Sequence, residues 1–194
     1  MFAMFKCHLY NWNDICQLCK QLAKKIRANG YKVDVIVAVA RGGWVPARIL
    51  ADLLEVRELY SVKTEHWGMV ATITGEAKIT QPLNVNLEGK NVLIVDDVAD
   101  TGETIKIVKD HVKSLLPKEI RIAVIDYKKT SKFIPDYYAS EMEGWKWIVY
   151  PWSLKEDVKG LISGKAKSLE EAIRILEDYG LKLSYEEVRE IIEE

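Results

Sequence analysis

The chain has little of what marks a secreted, membrane-spanning or nucleic-acid-coating protein. It has three cysteines in 194 residues, which cannot all pair within one chain, so a disulfide framework is not expected. No apolar run approaches the roughly 18–20 residues that a membrane span needs. The opening Met-Phe-Ala-Met-Phe-Lys-Cys-His lacks the basic start and the apolar stretch of a secretory signal, and a cytosolic location is expected. Net charge is −1, so there is no general pull toward nucleic acid or an anionic membrane. Glutamine is confined to positions 17, 21 and 81 while Lys and Glu are abundant, a bias found in thermophiles. What remains is an ordinary globular composition. The apolar content of 48% suffices for a core, and the length suits one α/β domain with an appendage.

Apolar periodicity then orders the chain. Residues 12–28 read as an amphipathic helix, capped by Asn11 or Asn13 and stopped by Asn29-Gly30. Val33 to Ala40 is nearly continuous in apolar residues, as in a strand buried on both faces of a parallel sheet. Arg41-Gly42-Gly43 is a loop, and Pro46 is expected to open a helix to about Leu54. Glu58–Thr64, Asn91–Val95 and Ile120–Tyr127 read as further strands, the last two with a helix between them. Residues 65–82 lack periodicity and read as an exposed hairpin or mobile loop. Strands alternating with helices imply an open, mostly parallel sheet flanked by helices, with ligands bound beyond the strand C-termini. Ser-x-x-Glu recurs at Ser153/Glu156, Ser168/Glu171 and Ser184/Glu187, each pair a candidate capping box opening a short helix. Gly164 and Gly180 fit the ends of the first two. The last of these helices are acidic, with nine acids against three bases from Ser168 onward.

Residues 92–104 carry the clearest chemistry: Val-Leu-Ile-Val-Asp-Asp-Val-Ala-Asp-Thr-Gly-Glu-Thr. A buried strand runs into Asp96 and Asp97, then Asp100, and a helical pattern follows at once (Ile105, Val108, Val112). Thr101, Gly102, Glu103 and Thr104 therefore lie at a helix N-terminus, where free N–H groups and the positive dipole end gather an anion. The acids cannot bind that anion. They need hydroxyls or a divalent cation. A phosphate beside vicinal hydroxyls and Mg²⁺ describes a phosphorylated ribose.

This segment resembles the ribose-phosphate loop of the type I phosphoribosyltransferases. The resemblance covers roughly residues 10–153 and implies that family's open sheet, with residues 1–153 as the phosphoribosyltransferase domain and 154–194 as a small helical C-terminal extension. It implies transfer of ribose 5-phosphate from 5-phosphoribosyl 1-pyrophosphate (PRPP), with Mg²⁺ as cofactor. Thr101, Gly102, Glu103 and Thr104 would hold the 5′-phosphate. Asp96 and Asp97 would bind ribose hydroxyls and the metal, and Asp100 would be the acid facing the base. Ala40, Arg41 and Gly42 fall on the family's pyrophosphate loop, whose peptide before the Arg is often cis. Lys128 and the run Trp-Ile-x-x-Pro-Trp resemble the xanthine-guanine branch. There the Lys donates to the purine 6-oxo group, the Trp stacks on the base, and the next residue's backbone bonds the ring edge. Those roles fall on Lys128, Trp147 and Ile148.

The resemblance thus implies purine salvage on hypoxanthine, guanine or xanthine, in a homo-oligomer without nucleic acid or membrane partners. Two other readings stay open: a PRPP-binding regulator without catalysis, and a phosphoribosyltransferase for another acceptor. The family's long loop over the diphosphate is often basic. Here Lys78 is the only Lys or Arg between Lys63 and Lys90, so Lys63 or Lys78 is expected to serve. The Cys16–Cys19 pair, with Cys7 and His8 upstream, has the donor types of a zinc site. The pair lies inside a helix pattern, however, and Cys19 falls on its apolar face, which favours a buried thiol instead.

Overall fold

The computed structural model describes residues 5–66 and 77–193. Its elements begin with β1 (Cys7–Leu9), α1 (Trp12–Ala28), β2 (Val35–Ala40), α2 (Trp44–Leu53), β3 (Glu58–His66), β4 (Ala77–Gln81) and β5 (Asn91–Ala99). Then come α3 (Glu103–Lys113), β6 (Glu119–Lys128), β7 (Tyr137–Met142), β8 (Trp147–Val149), α4 (Leu154–Ile162), α5 (Leu169–Asp178) and α6 (Tyr185–Glu193). Contacts divide them into two units, one of residues 13–66 and 77–144, the other of 5–12 and 145–193.

The larger unit is a six-stranded sheet of order β4-β3-β2-β5-β6-β7. Every pairing is parallel except β3–β4. β2 is buried at all six positions, as a central parallel strand covered on both faces must be. Val35, Val37 and Val39 pack with Val92, Ile94, Val108 and Val112 on one side. Ile36 and Ala38 pack with Leu22, Ile26, Ala47 and Leu50 on the other. So α1 and α2 cover one face and α3 covers the opposite one.

Several boundaries differ from the sequence reading. α2 starts at Trp44, two residues before Pro46. The first turn's N–H groups have no intrahelical partner, so a proline there forfeits no bond. β5 runs on to Ala99, so Asp96 and Asp97 sit on the strand and not in a loop after it. β6 holds them in register, pairing Asp96 with Val124 and Val98 with Asp126. β6 in turn extends through Lys128. The expected hairpin over 65–82 has its two arms in the antiparallel β3–β4 ladder, which pairs Glu65 with Lys78. Residues 67–76, with Gly68, Thr72, Thr74 and Gly75, lie outside the described residues.

In the smaller unit β1 pairs in parallel with β8, and helices α4–α6 share one core with them. Val149, Val158, Leu161, Leu176, Leu181 and Val188 are among its buried members. Two of the three capping serines act as expected. Ser184 Oγ accepts from the Glu187 N–H at 3.2 Å while Glu187 accepts from the Ser184 N–H at 2.7 Å, a full reciprocal box. Ser168 Oγ accepts from the Glu171 N–H, but Glu171 reaches the Lys167 N–H instead of Ser168's own. Ser153 makes no cap bond to α4. Its hydroxyl donates to the buried Asp157 carboxylate at 2.7 Å. Gly164 and Gly180 take positive φ just past α4 and α5, as the sequence reading requires.

Candidate active site

β2 and β5 are neighbours, and the chain leaves them in opposite directions. From β2 it runs through α2 to β3, and from β5 through α3 to β6. A divergence of this kind opens a crevice beyond the strand C-termini. The loop 40–43 and the loop 100–102 flank it. The Ala40–Arg41 peptide is cis, and Arg41 is exposed. A Cβ on Gly42 would lie 2.0 Å from Asp97 Oδ2. Only glycine lets the first loop rest against the acid pair. A Cβ on Gly43 would lie 2.4 Å from the Val95 carbonyl oxygen, so the strand β5 backbone comes equally close. Lys63, one of the two cations expected to serve the diphosphate, pairs with Ala40 in the β2–β3 ladder. It forms an ion pair with Glu65 at 2.6 Å.

Burial dominates the electrostatics of the acid pair. Asp96 is 7% exposed, and Asp97 is half-buried. Asp96 Oδ1 accepts from the Asp97 N–H at 2.9 Å, and Asp97 Oδ1 accepts from the Val98 N–H at 2.8 Å. Burial, and then the charge of Asp97, hold the Asp96 carboxyl well above the ordinary carboxylate range. Burial pushes Asp97 up as well, against the Val98 N–H that favours its ionised form. The charge of Asp126, fully buried on β6, also pushes Asp97 up. Hydroxyl donors or a hard dication would favour the ionised form of both carboxyls. The all-oxygen donor set fits Mg²⁺.

The cradle expected at Thr101–Thr104 stands at the N-terminus of α3. Gly102 is its N-cap at φ 85°, with no side-chain cap bond. Thr101 Oγ1 accepts from the Glu103 N–H at 3.3 Å. The segment after β6 braces this turn, since the Lys132 N–H donates to the Thr101 carbonyl at 3.1 Å. A Cβ on Gly102 would lie 2.6 Å from Phe133 Cβ and 2.9 Å from Ser131 Oγ. Sequence reasoning missed Ser131 and Phe133, and no local pattern announces them. Asp126 was missed too, although an acid two residues before Lys128 on a buried strand was a usable signal.

Lys128 is not a solvated surface charge. It is 3% exposed, and its Nζ lies 2.7 Å from Asp100 Oδ2. The structure thus brings together Asp100 with Lys128, and Gly42 with Asp97. Trp147 and Ile148 belong to the smaller unit. Trp147 is half-buried, and its indole N–H donates to Asp157 at 3.0 Å. The Trp147 N–H bonds the Lys6 carbonyl, and the Val149 carbonyl accepts from the Tyr10 N–H. Alternation along a strand then turns the Ile148 backbone groups to the edge away from β1.

The cysteines show no metal-binding arrangement. Among the described residues no group of three or more potential ligand side chains is assembled. Burial pushes the Cys7 thiol up to about 11 and the Cys19 thiol up to about 12, so both stay neutral. Among the described residues, no helix is long and apolar enough to cross a membrane.

Comparison with known proteins agrees with this geometry. The model of the phosphoribosyl transferase domain matches residues 8–157. The chain belongs to the phosphoribosyl transferase family. It is 30% identical over 141 residues to a xanthine-guanine phosphoribosyltransferase of Gluconobacter oxydans, covering 73% of this chain and 81% of that one. It is 27% identical to xanthine phosphoribosyltransferase 1 of Saccharomyces cerevisiae, over 81% of this chain and 94% of the relative. Among solved structures, a purine phosphoribosyltransferase from Pyrococcus horikoshii superposes with a TM-score of 0.67 at 38% identity, over 76% of this chain and 93% of that one. The mostly parallel sheet with flanking helices is the fold of this phosphoribosyl transferase family.

Proposed function

We propose that the protein is a purine-salvage enzyme that transfers ribose 5-phosphate from PRPP to a ring nitrogen of a 6-oxopurine and releases pyrophosphate. The observation that carries this reading is the pairing of buried Lys128 with half-buried Asp100 beside the α3 cradle. A Lys offers three donors and no acceptor, so at the base it favours a carbonyl over an amino group. The xanthine-guanine, xanthine and purine specificities in the relatives' names support the same class.

In this reading the α3 N-terminus, with Thr101 to Thr104, holds the 5′-phosphate. Asp96 and Asp97 accept from the ribose hydroxyls and are the residues that would hold Mg²⁺, directly or through water. When bound, the cation neutralises charge growing on the departing diphosphate. Arg41, with the Ala40 and Gly42 backbone, grips that diphosphate, and the guanidinium fork suits two oxygens at once. Lys63, next to Ala40, is the nearest expected help. Asp100 takes or shares the proton at purine N7 while Lys128 bonds O6. Trp147 supplies a stacking face and Ile148 backbone bonds to the ring edge. A cytosolic homo-oligomer goes with this reading, as does a division at 153/154 between the phosphoribosyltransferase domain and a helical extension.

The test is a PRPP- and Mg²⁺-dependent assay over hypoxanthine, guanine, xanthine, adenine, orotate and uracil. The expected outcome is nucleotide formation with 6-oxopurines. PRPP binding without turnover of any base would instead favour the regulator reading.

A further inference from the structure

Ser153 makes no cap bond to α4, and its hydroxyl donates to Asp157, a buried acid that also meets the base-stacking candidate Trp147. The Asp157 side chain is 5% exposed. Its Oδ1 accepts the Trp147 indole N–H at 3.0 Å, and its Oδ2 accepts the Ser153 hydroxyl at 2.7 Å. Its own N–H donates to the Ser153 carbonyl at 2.9 Å, which fixes the carboxylate in the first turn of α4. The adjacent Val158 and the later Leu161 are core residues, so α4 holds the acid in place. We propose that Asp157 is a positioning residue for base binding, which sets the plane of the Trp147 ring through the indole N–H. The proposal rests on Trp147 being the stacking residue in the function proposed above.

The geometry favours this over a merely structural acid. The second side-chain torsion of Trp has a broad well, so packing at one edge leaves the ring plane loosely defined. A hydrogen bond from the indole nitrogen lies in the ring plane. It fixes that plane while leaving the faces free to stack. Trp147 keeps part of its surface exposed. Burying a carboxylate is unfavourable unless its oxygens are bonded, and here each oxygen has a donor. An apolar residue would have filled the same space without that demand. Cys7, paired with Trp147 across β1–β8, stays neutral beside the acid because burial and then Asp157's charge push its thiol up. It offers the acid no counter-charge.

The test compares Asp157→Leu, Asp157→Asn, Trp147→Phe, Trp147→Ala and the Asp157→Leu/Trp147→Phe double variant in the full chain. Asp157→Leu should raise KM for hypoxanthine and guanine alike by about five- to tenfold, the scale of weakened stacking, and leave KM for PRPP unchanged. Asp157→Asn should stay near the unmutated enzyme, because its amide oxygen still accepts from the indole. With Phe at 147 there is no indole N–H, so adding Asp157→Leu should change the base KM by less than about twofold. An equal rise in the Phe background, a parallel rise in the PRPP KM, or Asp157→Asn behaving like Asp157→Leu would each mean a structural role and overturn the proposal. So would Asp157→Leu leaving the base KM unchanged while Trp147→Ala raises it, with the stacking reading intact. If Trp147→Ala leaves every base KM unchanged, stacking fails and this inference falls with it. A second measurement covers an unfolded Asp157→Leu. The indole N–H resonance lost in Trp147→Phe should shift in both Asp157→Asn and Ser153→Ala, and a resonance indifferent to both would refute the bond.

Discussion

Replacing Lys128 tests the substrate class directly. The ammonium is 3% exposed and bonded to Asp100 at 2.7 Å. With three donors it can keep that partner and still bond a purine 6-oxo group. Adenine presents an amino group there. Donor would meet donor in a nearly dry place, leaving both unsatisfied. Such a loss is about 1–3 kcal/mol, or roughly a five- to hundredfold preference for 6-oxopurines. Lys128→Ala should lower kcat/KM for hypoxanthine and guanine by about that factor, with adenine little changed, so that discrimination collapses. Lys128→Gln is the sharper variant. Its amide offers an acceptor as well as donors, so adenine turnover should rise relative to Lys128→Ala. Steady-state rates with hypoxanthine, guanine, xanthine and adenine decide the matter. Equal turnover of adenine and the 6-oxopurines by the unmutated enzyme would refute the role of Lys128, and with it the substrate class.

Asp96→Asn with Asp97→Asn should weaken PRPP binding in the presence of Mg²⁺, read by calorimetry, and unchanged affinity would remove both acids from the site. The same double variant has a stability signature. Both folded carboxyls sit above their unfolded values, so their contribution is favourable below the unfolded carboxylate range and is lost as pH rises through the raised folded values. Denaturant melts of the unliganded protein from pH 4 to 8 should show that decline, and the Asn variant should be flatter and more stable at pH 8. Gly42→Ala places a Cβ where Asp97 Oδ2 stands. It should lower stability by about 1–3 kcal/mol in a thermal melt and raise the PRPP KM, because the loop must retreat from the acids. Deleting residues 168–194 removes Leu176, Leu181 and Val188 from the smaller unit's core, at about 1.5–3 kcal/mol for each buried side chain. Melting temperature or solution mass should change before chemistry does. A truncated protein with both unchanged but no activity would assign these helices to the site.

The sequence alone determined whatever the chain resolves within a short window. Helix α1 over 12–28 and the all-buried β2 follow from the spacing of apolar residues, the glycines beyond α4 and α5 from backbone freedom, and the box at Ser184 from side chains meeting their own backbone. The succession in 92–104 was legible for the same reason, since an acid pair and a phosphate-gathering helix start lie on consecutive residues. The short strands β1 and β8, three residues each, were invisible because three residues carry no readable period. Only the tertiary structure decided which groups meet across the fold. The crossovers from β2 and β5 diverge, and that brings Gly42 against Asp97, far off in sequence. Parallel register on β5 and β6 lets Lys128 reach Asp100, 28 residues away in sequence. Ser153 shows the contest most plainly. Its local pattern specified a cap, and the folded chain makes none there, its hydroxyl donating to a buried carboxylate four residues on.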